Sequence, residues 1–351
     1  MRVDQITFTR FLAAISIVVY HFGDTIYPFS LDSISFLFKQ ANVGVSFFFI
    51  LSGYVMILAY GSKNKIGVGE FLKNRFARVY PIYLFAIALF FIYLKVESLW
   101  IDHKGILLNI LTIQSWIPGE ALSFNRPGWT LSVEVLFYIS FPFLFNYIYK
   151  KYDYKKLVVP ILLFWILSQV LLHIGTYSGF YGGFPSKSHD LLYYFPLMHL
   201  NEFLIGNLAG LFFVNKLSNT KKNVDVYIIL TSILFVLWLK YNSILILHDG
   251  VLNIIFVPLI FLFSINNGFI TKLFSKRIFV FLGEISYCIY ILQIPVYWWT
   301  LKALAKLNIT DQANIFYIFL IVLIIVSAIC YSFIEEPLRN KIKNIGSKKT
   351  S

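Results

Sequence analysis

Ten apolar runs govern what this chain can become. They cover approximately residues 6–22, 43–60, 80–96, 129–149, 157–174, 191–214, 224–239, 249–265, 279–300 and 313–334. Each is about the length needed to cross some 30 Å of hydrocarbon. Inside lipid a backbone must satisfy its own N–H and C=O groups, and a helix does this within one segment. The expected fold is therefore all-α: a polytopic integral membrane protein of about ten transmembrane helices. A further run, 105–113, is too short to cross and is expected at the interface. Hydrophobic residues make up 58% of the 351, and charged residues only 13%.

The net charge of +13 would suggest nucleic acid in a soluble protein. Here most Lys and Arg lie in short segments between apolar runs, where they set orientation, so no nucleic-acid partner is implied. Ten crossings put both termini on one side, and 22 of the 30 basic residues fall on that side. The positive-inside rule makes it the cytoplasm. The first run, lacking a small-residue cleavage site, reads as an uncleaved helix. Cys288 and Cys330 lie inside apolar runs and imply neither a metal nor a structural disulfide.

That first run carries Arg10 and His21. Eleven residues separate them, close to three whole turns, so both leave the helix on one face about 16 Å apart. Ionisable groups at bilayer depth are costly and usually mark a site or a polar interior. The face reads as the wall of a reaction chamber, although Arg10 snorkelling to headgroups and His21 resting at the interface would also account for the pair.

Three further motifs carry chemistry. Gly44, Ser52 and Gly53 in the second run suit close helix packing. Arg75 and Arg78, three apart, share a face if helical and offer two planar donor forks to a phosphate; anionic lipid headgroups are the competing reading. In the fourth run, Glu134 falls near the depth assigned to His21. A carboxylate there would orient an imidazole and stabilise its charged form, unless it forms a structural ion pair with Arg126 or Lys187. His103, His173, His189 and His248 show no metal-ligand spacing, and no metal is expected.

Taken in order, these motifs resemble an integral-membrane acyltransferase family, family 3, whose bacterial members O-acylate surface glycans. The resemblance rests on Arg10 and His21, on Phe48-Phe49-Ile50-Leu51-Ser52-Gly53, on Arg75 and Arg78, and on Trp129-Thr130-Leu131 followed by Glu134, Phe137 and Tyr138. Farther on it includes Glu202-Phe203 with Gly206, Gly283 with Ser286-Tyr287 and Tyr290, and Glu335-Glu336-Pro337. It covers about residues 5–340. Two positions depart: Gln293 stands where a histidine is common, and His199 where an arginine often precedes the Glu202 helix.

The resemblance implies an acyl-CoA donor, most often acetyl-CoA, and a glycan hydroxyl acceptor such as O-antigen, exopolysaccharide or capsule. It implies His21 as general base oriented by Glu134, and Arg10, Arg75 and Arg78 as holders of the CoA phosphates. Ser52, Ser132 and Tyr138 are candidate donors to the oxyanion. Residues 1–340 then form the membrane acyltransferase domain and 341–351 a basic cytoplasmic tail, in the bacterial inner membrane. The long segment 97–128 is the expected place where acceptors are sorted. A transporter or flippase of a lipid-linked sugar is the alternative, and a noncatalytic scaffold retaining the donor site a third. Oligomeric state is not readable.

Overall fold

The computed structural model describes residues 4–242 and 244–345. Residues 1–3 and, of the expected tail, residues 346–351 lie outside them. No strand occurs among the described residues. The main helices are α1 (Asp4–Phe22), α2 (Gly44–Tyr60), α3 (Val68–Val96), α4 (Trp129–Phe143), α5 (Tyr154–Tyr177), α6 (Pro196–Phe212), α7 (Asp225–Tyr241), α8 (Asn253–Ile265), α9 (Arg277–Glu284), α10 (Ser286–Lys306), α11 (Gln312–Cys330) and α12 (Glu336–Asn344).

Among the described residues seven helical stretches are long and apolar enough to cross a membrane, and α9 with α10, bent by 53°, make an eighth. The other two expected spans are shorter: α7 has 17 residues and α8 has 13. At 1.5 Å per residue these extend about 26 and 20 Å. The basic segment before the third span is itself helical. Helix α3 starts at Val68, three turns before the expected boundary, so Arg75 and Arg78 do share a helix face.

The closest helix pair is α2 with α6, and glycines make it possible. A Cβ on Gly53 would stand 2.3 Å from the carbonyl oxygen of Phe203, and one on Gly206 2.1 Å from that of Ile50. Only glycine lets two backbones touch in this way. Likewise a Cβ on Gly283 would sit 2.1 Å from the Thr7 carbonyl, which seats α9 against α1. Behind these contacts Phe137 stacks on Phe203 at 4.5 Å, and Phe49 meets Phe137 edge-on at 5.3 Å.

The segment before α4 is folded rather than loose. Asp102 caps the short helix His103–Ile110 by accepting from Gly105 N at 2.8 Å. Buried Asn109 donates to Gly105 O and Ser123 O and accepts from Tyr83 of α3 at 2.9 Å. Asp190, in turn, accepts from Gly119 N at 2.7 Å. Every buried polar group in this cap so far named has its partner, the condition under which irregular backbone persists at such a position. The cap fixes where α4 begins.

Candidate active site

Three cavities follow one another along α1. The first, about 340 Å³, is lined by Arg10, Arg78, Glu284, Tyr331, Glu335 and Arg339 among others. The second, about 120 Å³, is lined by Arg10, Ser52, Arg75, Arg78, Glu134 and Tyr138. The third, about 600 Å³, holds His21 with Asn42, Trp129, His189, Tyr193 and Tyr290. Arg10 and Arg78 line both of the first two, while Val45 and Tyr290 line both the second and the third. One end of this series is cationic and the other aromatic.

At the arginine end, three guanidiniums surround the middle cavity against one carboxylate, Glu134. Arg75 rests over the rings of Phe71 and Tyr60, 5.3 and 5.7 Å from their centroids, and its Nη2 reaches the Tyr60 hydroxyl at 3.5 Å. Its buried Nε has no protein partner. Such planar, stacked guanidiniums keep donors in reserve for an anion. Glu335, 2% exposed, accepts from Cys288 Sγ at 3.3 Å and lies 3.6 Å from Arg339. Sequence reasoning named Glu335 only as part of a terminal motif and missed Arg339. Both sit where α11 passes into α12 through a wide π-helical turn, Tyr331–Glu335, which the hydropathy pattern does not reveal.

At the other end, His21 Nδ1 is 2.7 Å from Gln293 Oε1. The Gln293 amide nitrogen donates to Tyr290 O at 2.7 Å, which decides the amide orientation. Its Oε1 can only accept, so the His21 proton is on Nδ1. The neutral ring therefore presents the lone pair of Nε2, and His21 lines the chamber as an exposed side chain.

This corrects the expected pair of His21 with Glu134. Trp129 lines the His21 chamber, and α4 starts there, beneath the 97–128 cap, so Glu134 falls a turn and a half deeper. There it accepts from Tyr138 Oη at 2.5 Å, among the arginines. The oxyanion candidates fare similarly. Ser52 and Tyr138 line the arginine cavity, not the His21 chamber, and fully buried Ser132 accepts from Ser115 N at 3.3 Å within the cap packing. Gln293, marked in the sequence only as a departure where a histidine is common, is the group that orients the imidazole.

His199, Glu202 and Asp249 form a separate buried cluster, their ligand atoms within 4.8 Å of one another. His199 Nε2–H donates to Tyr193 O at 3.1 Å, and Nδ1 faces Glu202 at 2.9 Å and Asp249 at 3.1 Å. Burial pushes the Asp249 carboxyl up to about 8, opposed by His199 and reinforced by Glu202. The backbone carbonyl of Asp249 accepts from Gln169 and Asn201, so the cluster ties the 244–252 segment to α5 and α6. Gly206, named from sequence only as part of the Glu202-Phe203 motif, and this acid pair thus belong to the scaffold behind the chamber.

A helical membrane bundle with a cationic cavity leading to a polarised imidazole is the architecture of a membrane-embedded transferase. The chain belongs to the acyltransferase family that its motifs resemble: the family described as "Acyltransferase domain" matches residues 3–334. The acyltransferase MdmB of Streptomyces mycarofaciens is 33% identical over 166 residues, 43% of this chain and 41% of that protein. The O-acetyltransferase OatA of Staphylococcus aureus (strain NCTC 8325 / PS 47) is 23% identical over 362 residues, 95% of this chain and 56% of that protein. The chain thus spans only about two fifths to just over half the length of these curated relatives. No solved structure matches it.

Proposed function

We propose that this multi-pass membrane protein is an O-acyltransferase that moves an acyl group, acetyl by analogy with the O-acetyltransferase OatA, from a cytoplasmic acyl-CoA to a hydroxyl of an extracytoplasmic or lipid-linked glycan in a bacterial inner membrane. The observation that carries this reading is the order of the cavities along α1: arginines at one end, the free Nε2 of His21 at the other, and Tyr290 between them.

In this reading the CoA phosphates sit among Arg10, Arg75 and Arg78, with Arg339 at the mouth, where charge-assisted bonds are strongest. The pantetheine arm passes Val45 and Tyr290 to bring its thioester to His21. His21 Nε2 takes the proton of the sugar hydroxyl as its oxygen attacks the thioester carbonyl. Collapse of the tetrahedral intermediate expels the CoA thiolate, which recovers a proton from the imidazolium. Gln293 keeps Nδ1 protonated throughout, and Tyr290, at the junction, is placed to donate to the oxyanion. Glu134 offsets part of the arginine charge and so moderates the hold on acyl-CoA and CoA alike.

Base catalysis of this kind contributes about 10²–10⁴-fold. His21→Ala should therefore lower acceptor-dependent thiol release from acetyl-CoA by about that factor while the purified protein still binds CoA. Undiminished transfer by that variant would remove His21 from the mechanism.

A further inference from the structure

The His21 chamber does not end at its own walls. Phe22, Leu122, Arg126 and Ile294 also line a fourth cavity of about 430 Å³. The remainder of its lining is Phe90, Tyr93, Leu94, Leu99, Phe124 and Trp298, so five aromatic rings and four aliphatic side chains surround it. Arg126 is the one Lys or Arg lining either cavity, and neither cavity is lined by any Asp or Glu. Among the described residues the Arg126 guanidinium makes no hydrogen bond or ion pair. Two lysines at this end, by contrast, are matched: Lys302 by Glu97 and Lys104 by Glu120. An exposed, unpaired guanidinium between a sugar-sized polar chamber and an oily one divides the space into three chemistries.

The chamber side suits a carbohydrate ring. His189 stacks on Tyr193 at 4.5 Å and accepts or donates with Tyr181 Oη at 2.9 Å, offering an aromatic face edged with polar atoms. The side cavity suits hydrocarbon, and the arginine between them suits a phosphate. We propose that Arg126 and the side cavity hold the phosphate and the first part of the chain of a single-chain lipid phosphate that carries the acceptor sugar, whose ring then lies over His21. This rests on the assignment of the His21 chamber to the acceptor. It deepens that assignment by naming the acceptor as an amphiphile delivered from the membrane rather than a free polysaccharide.

The test uses the full chain purified in a neutral detergent and undecaprenyl phosphate, without sugar and without acetyl-CoA, with retention read by native mass spectrometry. Wild type should hold one molecule. Arg126→Ala should bind it at least tenfold more weakly, Arg126→Lys should recover most of the loss, and Leu99→Trp, which fills the side cavity, should also lose at least tenfold. Arg126 and Leu99 are both exposed, so these changes leave the packing in place, and retained CoA binding at the far end confirms the fold. Undecaprenol binding as tightly as its phosphate, inorganic phosphate displacing the lipid, phosphatidate binding equally well, or Arg126→Ala binding like wild type would each overturn the proposal. A wild-type protein that binds undecaprenyl phosphate but not acetyl-CoA would instead overturn the donor reading alone.

Discussion

The two ends of the cavity series solve opposite problems. The arginine end presents a cluster of guanidiniums: Arg10, Arg75 and Arg78 come from the long helices α1 and α3 and converge on one cavity. The histidine end, by contrast, is assembled from α1, α2, α4, α10 and four connecting segments, and the tautomer of its imidazole is set by a neutral amide. Charge that must only hold a ligand can be carried by rigid helices. An imidazole that must take up a proton at one nitrogen needs a neighbour that fixes its tautomer at the other without taking the ring proton, and Gln293 is such a neighbour where a carboxylate would hold that proton more tightly.

The strongest perturbation would strike the frame that both ends share. A methyl group on Gly206 would meet the Ile50 carbonyl at 2.1 Å, a backbone atom that cannot swing aside. Gly206→Ala should therefore force α2 and α6 apart at a cost of about 3 kcal/mol or more. Donor binding and transfer should fall together, with a lowered apparent Tm in detergent. Retention of wild-type Tm would mean that the two backbones can part freely and that the ends are not held by this contact.

Next comes damage to one end alone. Arg75→Ala combined with Arg78→Ala removes two guanidiniums from the middle cavity, and each charged hydrogen bond to phosphate is worth about 1.5–3 kcal/mol. The KM for acetyl-CoA should rise by about tenfold or more for each arginine, with kcat changed far less and with CoA protection of the protein against heating lost. A fall in kcat at unchanged KM would place these residues in the chemical step and dissolve the division of labour between the ends.

How much of this the chain disclosed in advance differs between the ends for the same reason. Hydropathy located the helices, and the helical repeat put Arg75 and Arg78 on one face, because both depend on spacing within a single helix. The pairing of His21 depended on how deep α4 begins, and that depth is set by the 97–128 cap through Asn109, Tyr83 and Asp190. No periodicity encodes a contact 272 residues apart such as His21 with Gln293. The cluster of His199, Glu202 and Asp249 was hidden likewise, since Asp249 arrives from a separate connecting segment. Glycines were legible as packing residues but not their partners: Gly53 proves to face Phe203 and Asn207 of α6.

The finest test sharpens the contrast between a neutral orienting group and a charged one. Gln293→Glu keeps the size and an acceptor for His21 Nδ1–H but adds a negative charge beside the imidazole. An opposite charge in contact stabilises the protonated ring and raises its pKa, by about one unit or more at such a distance. A base whose pKa rises is protonated, and so idle, over a wider range of acidic pH. The acidic limb of the kcat/KM profile should accordingly move upward by about one pH unit, while the rate on the alkaline side of that limb stays within several-fold of wild type. Gln293→Ala, which leaves the ring free to adopt either tautomer, should instead lower the rate at every pH by about tenfold without moving the limb. If Gln293→Glu left the limb where it was, the proton on which the limb depends would not be on His21, and the histidine end would lose its one assigned task while the arginine end kept its own.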